Sequence, residues 1–378
     1  MKVQRLKSID VFRGLCMFWI VLTHLIDWWL KSEFIWLHRI TVMLFDSFGA
    51  SGLLFISGVS IALSYRNKMN KINTNEDYSL QTVRNSYLMR AFFFFILALF
   101  YNIFIAISLM DPKWIWTWFV LLTASISLII AWPLLKTSKL FRIILGCAFW
   151  IVNPFFVNLL LPYEGTWSLY GILFHIFYSG IHLVPILVFF PFFLFGTVIG
   201  DVLYDTFQSD YSQENERKSF GFYYLIPSVV IGTLLIIFGV FYEFPRYLQR
   251  ESLSWVIYSL GINIVLISLL LSVEVYELIK TSKSYKLFFY FSYYSLTIFL
   301  THNILHFLFL NQLNLIDIWF LAAGVFILMS LGLRLAYKLW QGHASVKVQI
   351  GRISSHVVMK LEERSNKKLS KSVVNSNE

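Results

Sequence analysis

Residues 8–24, SIDVFRGLCMFWIVLTH, form an apolar run that carries Asp10, Arg13 and His24. His24 lies eleven residues beyond Arg13. A helix rises about 1.5 Å per residue, so it would separate these two side chains by about 16 Å. That spacing predicts a cation near one face of a bilayer and an imidazole past its middle. Ionisable residues are costly inside a membrane span, so each is a candidate for a functional role.

The composition of the whole chain is that of a membrane protein. Of the 378 residues, 58% are hydrophobic and only 14% are charged, whereas about 25% are charged in soluble domains. Repeated apolar runs of about 20 residues predict an all-α fold, a polytopic membrane bundle of about ten transmembrane helices. The predicted spans are about 11–30, 44–64, 88–110, 114–134, 141–161, 183–203, 222–242, 253–276, 287–310 and 316–338.

The segment 164–181 is too short and too polar to cross comfortably, so it is predicted to be a re-entrant or interfacial helix. Residues 1–340 are predicted to form one transmembrane domain, and 341–378 a basic, partly disordered cytoplasmic tail. Gly196 and Gly200 form a pair of small residues that predicts close helix packing.

Lysine and arginine indicate the orientation of the predicted bundle. One side of the membrane collects 26 of the 31 basic residues, and the positive-inside rule makes that side cytoplasmic. The prediction is a multi-pass protein of the cell membrane with both termini in the cytoplasm. This topology accounts for the formal charge of +10 without a nucleic-acid partner. The two cysteines, Cys16 and Cys147, have no spacing that suggests a metal site.

Two histidines at matched depths predict a buried site. His24 lies about 14 residues into the first span, and His302 lies about 15 residues into the ninth. Both spans run outward, so both imidazoles fall some 20–23 Å into a core of about 30 Å. We predict that His24 and His302 are catalytic. Asp27, three residues after His24, is predicted to hold it as a general base.

Other polar residues at this level are predicted to bind an acceptor. Asp46 begins the second span near the level of Asp27, and His38 lies in the first outer loop. Asn303 and His306 accompany His302 in the ninth span. Ordinary interfacial placement, or hydrogen bonding between helices, remains the alternative for each of them.

The cytoplasmic mouth is predicted to bind a phosphorylated ligand. Arg13, Arg84 and Arg90 lie near this face, and the planar guanidinium fork binds phosphate in a bidentate manner. Asp10 is assigned to the same mouth, beside Arg13. A mutual salt bridge between Asp10 and Arg13, with plain topological anchoring, is the alternative.

Four segments of the sequence resemble helices of the heparan-α-glucosaminide N-acetyltransferase family, within the transmembrane acyltransferase superfamily. The first helix of that family is similar to SIDVFRGLCMFWIVLTHLID (8–27), and its second helix is similar to GLLFISGVSIAL (52–63). A middle span is similar to PILVFFPFFLFGTVIG (185–200), and a late helix shared with other transmembrane acyltransferases is similar to YYSLTIFLTHNILH (293–306).

This resemblance implies a membrane enzyme that takes an acyl group, usually acetyl, from cytoplasmic acyl-CoA as co-substrate. It would pass that group to a sugar amine or hydroxyl, on a glycan or lipid-linked sugar, at the other side. In the wider superfamily a histidine ends the first-helix motif, and His24 holds that position here. The animal enzyme carries an asparagine there and a histidine in the next loop, for which His38 is the counterpart. Which of the two acts stays open.

An alternative function is a proton-coupled transporter or a flippase for a small or lipid-linked solute, with His24, Asp27 and His302 as a proton relay. Transporters often show paired halves with interrupted helices, and no such pairing is visible in this sequence. A structural or sensory membrane protein is a third hypothesis. The sequence leaves the oligomeric state open between a monomer and a homodimer, with membrane lipids as the surroundings in either case.

Overall fold

The computed structural model describes residues 5–74, 79–179, 183–208, 217–279 and 285–375, with the backbone alone for 365–375. These ranges contain helices and no β-strand. The α-helices are α1 (Lys7–Trp29), α2 (Ile35–Phe45), α3 (Ala50–Thr74), α4 (Leu80–Leu109), α5 (Val120–Leu134), α6 (Lys139–Leu160), α7 (Leu169–Phe177), α8 (Ile186–Gln208), α9 (Ile226–Tyr242), α10 (Leu253–Val275), α11 (Lys286–Tyr293), α12 (Ser295–Thr301), α13 (Asp317–Trp340) and α14 (Val346–Asn375). The predicted all-α class is confirmed.

Nine helical segments in the described ranges are long and apolar enough to cross a membrane. They are Lys7–Trp29, Ser32–Thr74, Leu80–Leu109, Pro112–Leu134, Lys139–Tyr163, Ile186–Phe207, Arg217–Tyr242, Leu253–Val275 and Asp317–Arg364. The ninth predicted span, 287–310, is divided into α11, α12 and a 3₁₀ segment, His302–Phe307. The polytopic bundle is therefore confirmed, and the prediction of a continuous ninth helix is wrong.

The divided segment nevertheless follows α1 from one end to the other. A Cβ on Gly14 would come within 2.7 Å of the carbonyl oxygen of Phe288, so the two backbones are in contact near the start of α1. Near its end, the N–H of Leu313 donates to the carbonyl of Trp29 at 2.8 Å. We call the end of the bundle where α1 begins the basic end, and the end where α1 finishes the far end.

The packing of α3 against α8 accounts for the glycine pair in α8. A Cβ on Gly196 would lie 2.0 Å from the carbonyl oxygen of Phe55, and one on Gly58 would lie 2.1 Å from that of Phe193. Gly200 is similarly close to α3. No side chain fits at these positions, so the two backbones touch. The predicted close packing is confirmed, and α8 is the most buried of the nine segments.

Charged side chains join α3, α6 and α8 at the basic end. Arg142 is 1% exposed and pairs with Asp201. Arg66 pairs with Asp205, whose other carboxylate oxygen accepts from Lys139 at 2.6 Å. Buried charges need partners, and here each cation has one. The sequence alone did not indicate this network, because its members come from three separate helices.

The polar tail and the short polar segment are both helical. Residues 346–375 form α14, within the tail that the sequence predicts to be partly disordered. Val358 of this helix is 2% exposed, and Thr82 of α4 donates to Glu362 at 3.1 Å. The short segment forms α7, which at nine residues cannot cross a bilayer by itself. The domain boundary after residue 340 stays a prediction.

Both ends of the described chain lie at the basic end. α1 begins there, and α14 packs beside the first turns of α4. The cytoplasmic placement of the two termini stays a prediction. Parts of the segments with the predicted basic excess, residues 1–4, 75–78, 209–216 and 280–284, lie outside the described ranges.

Candidate active site

Two histidines from opposite ends of the chain meet between α1 and the 3₁₀ segment. The ring centroids of His24 and His302 are 5.2 Å apart. Trp28 lies beside both rings, 4.9 Å from His24 and 5.8 Å from His302, and the His306 ring meets its edge at 5.2 Å. The common depth expected from the sequence agrees with this geometry. A catalytic role for the pair stays a prediction.

One hydrogen bond sets the orientation of the His302 ring. Its Nδ1 lies 2.7 Å from the carbonyl oxygen of Phe299. A carbonyl oxygen can only accept, so Nδ1 donates and Nε2 of the neutral ring keeps its lone pair. His302 is 3% exposed, and its Nε2 has no hydrogen-bond partner within the described ranges. The structure thus holds an oriented, buried nitrogen base.

Asp27 contacts His38 and not His24. Its Oδ1 lies 3.5 Å from Nδ1 of His38 in α2, which packs beside the end of α1. Positions three residues apart on a helix differ in direction by about 60°. Asp27 can therefore face α2 while His24 faces His302. The predicted pairing of Asp27 with His24 is wrong, and the carboxylate instead lies beside His38, the second histidine that the sequence left open.

Two of the predicted acceptor-binding residues lie close to the histidine pair. His306 meets the edge of Trp28, which stacks on His24. Asn303 follows His302 directly, and its Nδ2 donates to the hydroxyl of Tyr101 at 2.7 Å. The 3₁₀ segment thus presents three polar side chains within five residues.

Arg250 is a charged residue of the far end that the sequence did not single out. Its Nη2 donates to the carbonyl of Leu183 at 2.6 Å, and its Nε lies 3.5 Å from Oδ2 of Asp46. Asp46, predicted to bind an acceptor, is therefore engaged by a guanidinium. Arg250 and His38 both lie within electrostatic range of His24. The far end of the site combines a cation with carboxylates around the imidazoles.

A cavity of about 360 Å³ extends from the basic end toward the histidines. Phe299 lines its inner part, and the Phe299 ring centroid is 5.6 Å from that of His302. Phe299 thus contacts both the cavity and the His302 ring, while His302 itself does not line the cavity. Its basic part is lined by four cations from four helices, here called the cation cluster: Arg13, Lys68, Arg90 and Lys347.

The four side chains of the cation cluster bring an excess of positive charge to the cavity. None of its members pairs with a carboxylate within the described ranges. Arg13 donates instead to the hydroxyl of Ser60 at 2.6 Å, and Lys347 to the carbonyl of Ser292 at 3.0 Å. Positive charges held close together repel one another, more strongly where water is excluded. Such an arrangement is suited to an anion.

Asp10 does not line this cavity. It accepts from Arg5 Nε at 2.8 Å and from the hydroxyl of Ser292 at 2.8 Å. The observed salt bridge of Asp10 is therefore with Arg5 and not with Arg13. The carboxylate of Asp10 links the start of α1 to α11 through Ser292. The assignment of Asp10 to a phosphate site is therefore wrong.

Arg84 also lies outside the cavity. It is exposed, and its Nε lies 3.4 Å from the side-chain oxygen of Asn85. Arg84 precedes Arg90 by six residues, which turns it about 120° away around α4. The prediction that both arginines face one ligand is therefore wrong for Arg84, while Arg13 and Arg90 do line the cavity.

Sequence reasoning missed two members of the cation cluster, Lys68 and Lys347. A signal for Lys68 was present in the sequence. Polar residues recur on α3 at steps of three or four positions, which places them on one helical face: Ser57, Ser60, Ser64 and Lys68. This stripe faces the cavity and leads from its apolar interior to its basic part.

A family model described as heparan-alpha-glucosaminide N-acetyltransferase, catalytic, matches residues 5–238. The chain belongs to this family. The resemblance expected from the helix motifs is confirmed, and the protein is a membrane N-acetyltransferase. Comparison with curated proteins finds no match.

In this N-acetyltransferase the family match covers some of the site residues and not others. His24, Arg13, Lys68 and Arg90 lie within residues 5–238, whereas His302 and Lys347 follow them in the chain. Within the described ranges, no group of three His, Cys, Asp or Glu side chains is arranged to hold a metal ion.

Glu251 lies in the far-end loop between α9 and α10, and we expect it to make the stability of the N-acetyltransferase depend on pH. Burial, reinforced by Asp46 and opposed by Arg250, raises the pKa of Glu251 to about 7. A raised carboxyl pKa stabilises the fold at low pH, and this contribution is lost as pH rises from about 4.5 through 7. The loss is of the order of 3 kcal/mol.

We expect Glu251→Gln to match the wild type in thermal unfolding at pH 5 and to exceed it at pH 8, because the amide stays neutral. The exposed Glu164, also at the far end, serves as the control, and Glu164→Gln should change neither value. An equal difference between wild type and Glu251→Gln at both pH values would contradict the assignment.

Proposed function

We propose that this protein transfers an acetyl group from acetyl-CoA to the amine or hydroxyl of a sugar, with donor and acceptor approaching from opposite ends of the bundle. The proposal depends mainly on one observation. A cavity that is lined by cations without a carboxylate partner in the described ranges reaches Phe299, and the Phe299 ring lies next to that of His302, whose Nε2 is unpaired there. An anionic donor and a general base are the two requirements of such a reaction.

The basic cavity suits the chemistry of acyl-CoA. Arg13 and Arg90 offer planar forks for phosphate oxygens, and Lys68 adds a further positive charge. Beyond them, the serine stripe of α3 offers hydroxyls to the amide groups of the pantetheine arm. A volume of about 360 Å³ lies within the range of small-molecule sites. The thioester would reach the inner end, beside Phe299.

His302 supplies the proton transfer in this proposal. The neutral acceptor amine attacks the thioester carbonyl carbon with its lone pair, which forms the C–N bond and an oxyanion. Nε2 of His302 accepts the proton that the nitrogen loses. The oxyanion then collapses and the C–S bond breaks, with its electron pair leaving on sulfur. The proton passes from His302 to that thiolate, which yields free CoA and the acetylated sugar.

His24 and the far-end residues are assigned to the acceptor. His24 lies 5.2 Å from His302 between ring centroids, and Trp28 offers an aromatic face beside both. His38, held by Asp27, lies on the outer side of the pair. A sugar entering from the far end would meet these polar groups before it reaches the base.

The orientation follows from charge. The cation cluster lies at the basic end, and lysine and arginine concentrate on the cytoplasmic side of membrane proteins. We infer that the donor binds from the cytoplasm, that both termini are cytoplasmic, and that the acceptor binds from outside the cell membrane.

Transfer can be tested with purified protein in lipid nanodiscs, acetyl-CoA labelled in its acetyl group, and glucosamine as acceptor. We expect labelled N-acetylglucosamine and one free CoA per transfer. In sealed inside-out vesicles, added acetyl-CoA should acetylate an enclosed acceptor, whereas right-side-out vesicles should be inactive. Protein that neither binds acetyl-CoA nor transfers its label would refute the proposal. Solute uptake driven by a proton gradient would then favour the transporter.

A further inference from the structure

The C-terminal helix α14 is attached to the core near the basic cavity. The N–H of Val346 donates to the hydroxyl of Thr297 at 3.1 Å, and that hydroxyl donates to the carbonyl of Ala344 at 3.3 Å. The Ser345 hydroxyl donates to the carbonyl of Tyr293 at 3.0 Å. These bonds join the start of α14 to α11 and α12, the helices that lead to His302.

α14 is also a wall of the cavity. Three of its residues, spaced four apart and therefore on one face, line the cavity: Lys347, Gly351 and Ser355. Ile350 and Val358, 9% and 2% exposed, lie on the same side of the helix or directly next to it. The side of α14 that packs against the core therefore also brings Lys347 to the space that Arg13 and Arg90 line.

The surroundings of Lys347 are strongly positive. Arg13 and Arg90 both lie within electrostatic range of its ammonium group. The carboxylate in the same range, Asp10, already pairs with Arg5. Within the described ranges, Lys347 has one hydrogen bond, to the carbonyl of Ser292. An ammonium group can donate three, so two donors remain for a ligand.

We propose that Lys347 binds a phosphate group of the acyl-CoA donor, and that α14 is thereby an essential wall of the donor site. This inference rests on the proposed function. It extends the site beyond residues 5–238, which the family model matches, and makes the C-terminal helix a part of the enzyme. The phosphate would lie between Lys347, Arg13 and Arg90, where its negative charge offsets their mutual repulsion.

Two donors that differ in phosphate content test this assignment. Acetyl-CoA carries the nucleotide phosphates, and S-acetylpantetheine carries the same thioester and arm without them. We expect Lys347→Gln to weaken acetyl-CoA binding about 10- to 100-fold and to leave the KM for S-acetylpantetheine unchanged. Lys347→Arg should retain most of the affinity, since it keeps the charge. Lys360→Gln, an exposed position on the same helix, is the matched control.

The outcomes separate the inference from the function on which it rests. Wild-type protein that binds no acetyl-CoA overturns both. Wild type that binds it, with Lys347→Gln equally tight, overturns the role of Lys347 and leaves the function standing. If Lys347→Gln weakened the use of acetyl-CoA and of S-acetylpantetheine equally, the role of Lys347 would be in packing, and the proposal would also be overturned. Thermal unfolding of each variant in detergent identifies a variant that fails to fold. If Lys347→Gln does not fold, the KM values of Lys347→Arg for acetyl-CoA and for S-acetylpantetheine decide the role of Lys347.

Discussion

Replacing His302 by alanine is expected to slow acetyl transfer by about 100- to 10,000-fold, the usual contribution of a general base. Nε2 of His302 is buried and has no partner in the described structure, and the bond from Nδ1 to the Phe299 carbonyl holds the ring in place. Alanine removes the base and leaves the cavity lining intact. The KM for acetyl-CoA should therefore change little while kcat falls. The measurement is steady-state transfer from labelled acetyl-CoA in nanodiscs.

The same assay distinguishes His302 from His24. If His302 is the base, His24→Ala should lower kcat less than His302→Ala does. The reason is that His24, which stacks on Trp28, is assigned to the acceptor and not to the proton transfer. His356, an exposed histidine on α14, provides the control, and His356→Ala should retain wild-type kinetics. A normal rate in His302→Ala combined with an inactive His24→Ala would transfer the catalytic role to His24.

Removing charge from Arg13 and Arg90 is expected to weaken acetyl-CoA binding by about 10- to 100-fold for each arginine. The two guanidiniums come from different helices and line one cavity without a carboxylate partner in the described ranges. Binding to the wild type should also weaken with rising salt, because the attraction between cations and phosphate is screened. Isothermal titration of acetyl-CoA at two salt concentrations measures both effects.

Arg84 gives this experiment a matched control. It lies on α4 with Arg90 but is exposed and turned away from the cavity. Arg84→Gln should bind acetyl-CoA like the wild type, and Arg90→Gln should show a smaller dependence on salt. Equal losses in Arg84→Gln and Arg90→Gln would mean that the net charge of this end, and not the cavity, attracts the donor.

Parts of the candidate site were predictable because they depend on position along a helix. The depth of His24 in α1 and of His302 in its segment follows from counting residues, and the two rings do meet. The pairing of Asp27 was not predictable in this way. A spacing of three residues allows contact with His24, but α2 brings His38 to the carboxylate first. The outcome depended on a neighbouring helix.

The phosphate-binding residues illustrate the same difference. Counting charges near the mouth included Arg84, which faces away, and omitted Lys347, which reaches the cavity from α14. Proximity along the chain does not specify which face of α4 meets the cavity. Nor does composition reveal that a polar tail would fold as a helix against that face.

The amino-acid sequence by itself determined the class of this protein. Long apolar runs must form helices in a bilayer because the backbone has no other hydrogen-bonding partner there, and helix motifs identified the family. Only the tertiary structure decided which polar groups are neutralised and which are left for a ligand. Arg142 and Arg13 are both arginines at the basic end, but packing brings Asp201 to the first and leaves the second facing a cavity. That difference arises from contacts between helices distant in the chain, which local sequence does not encode.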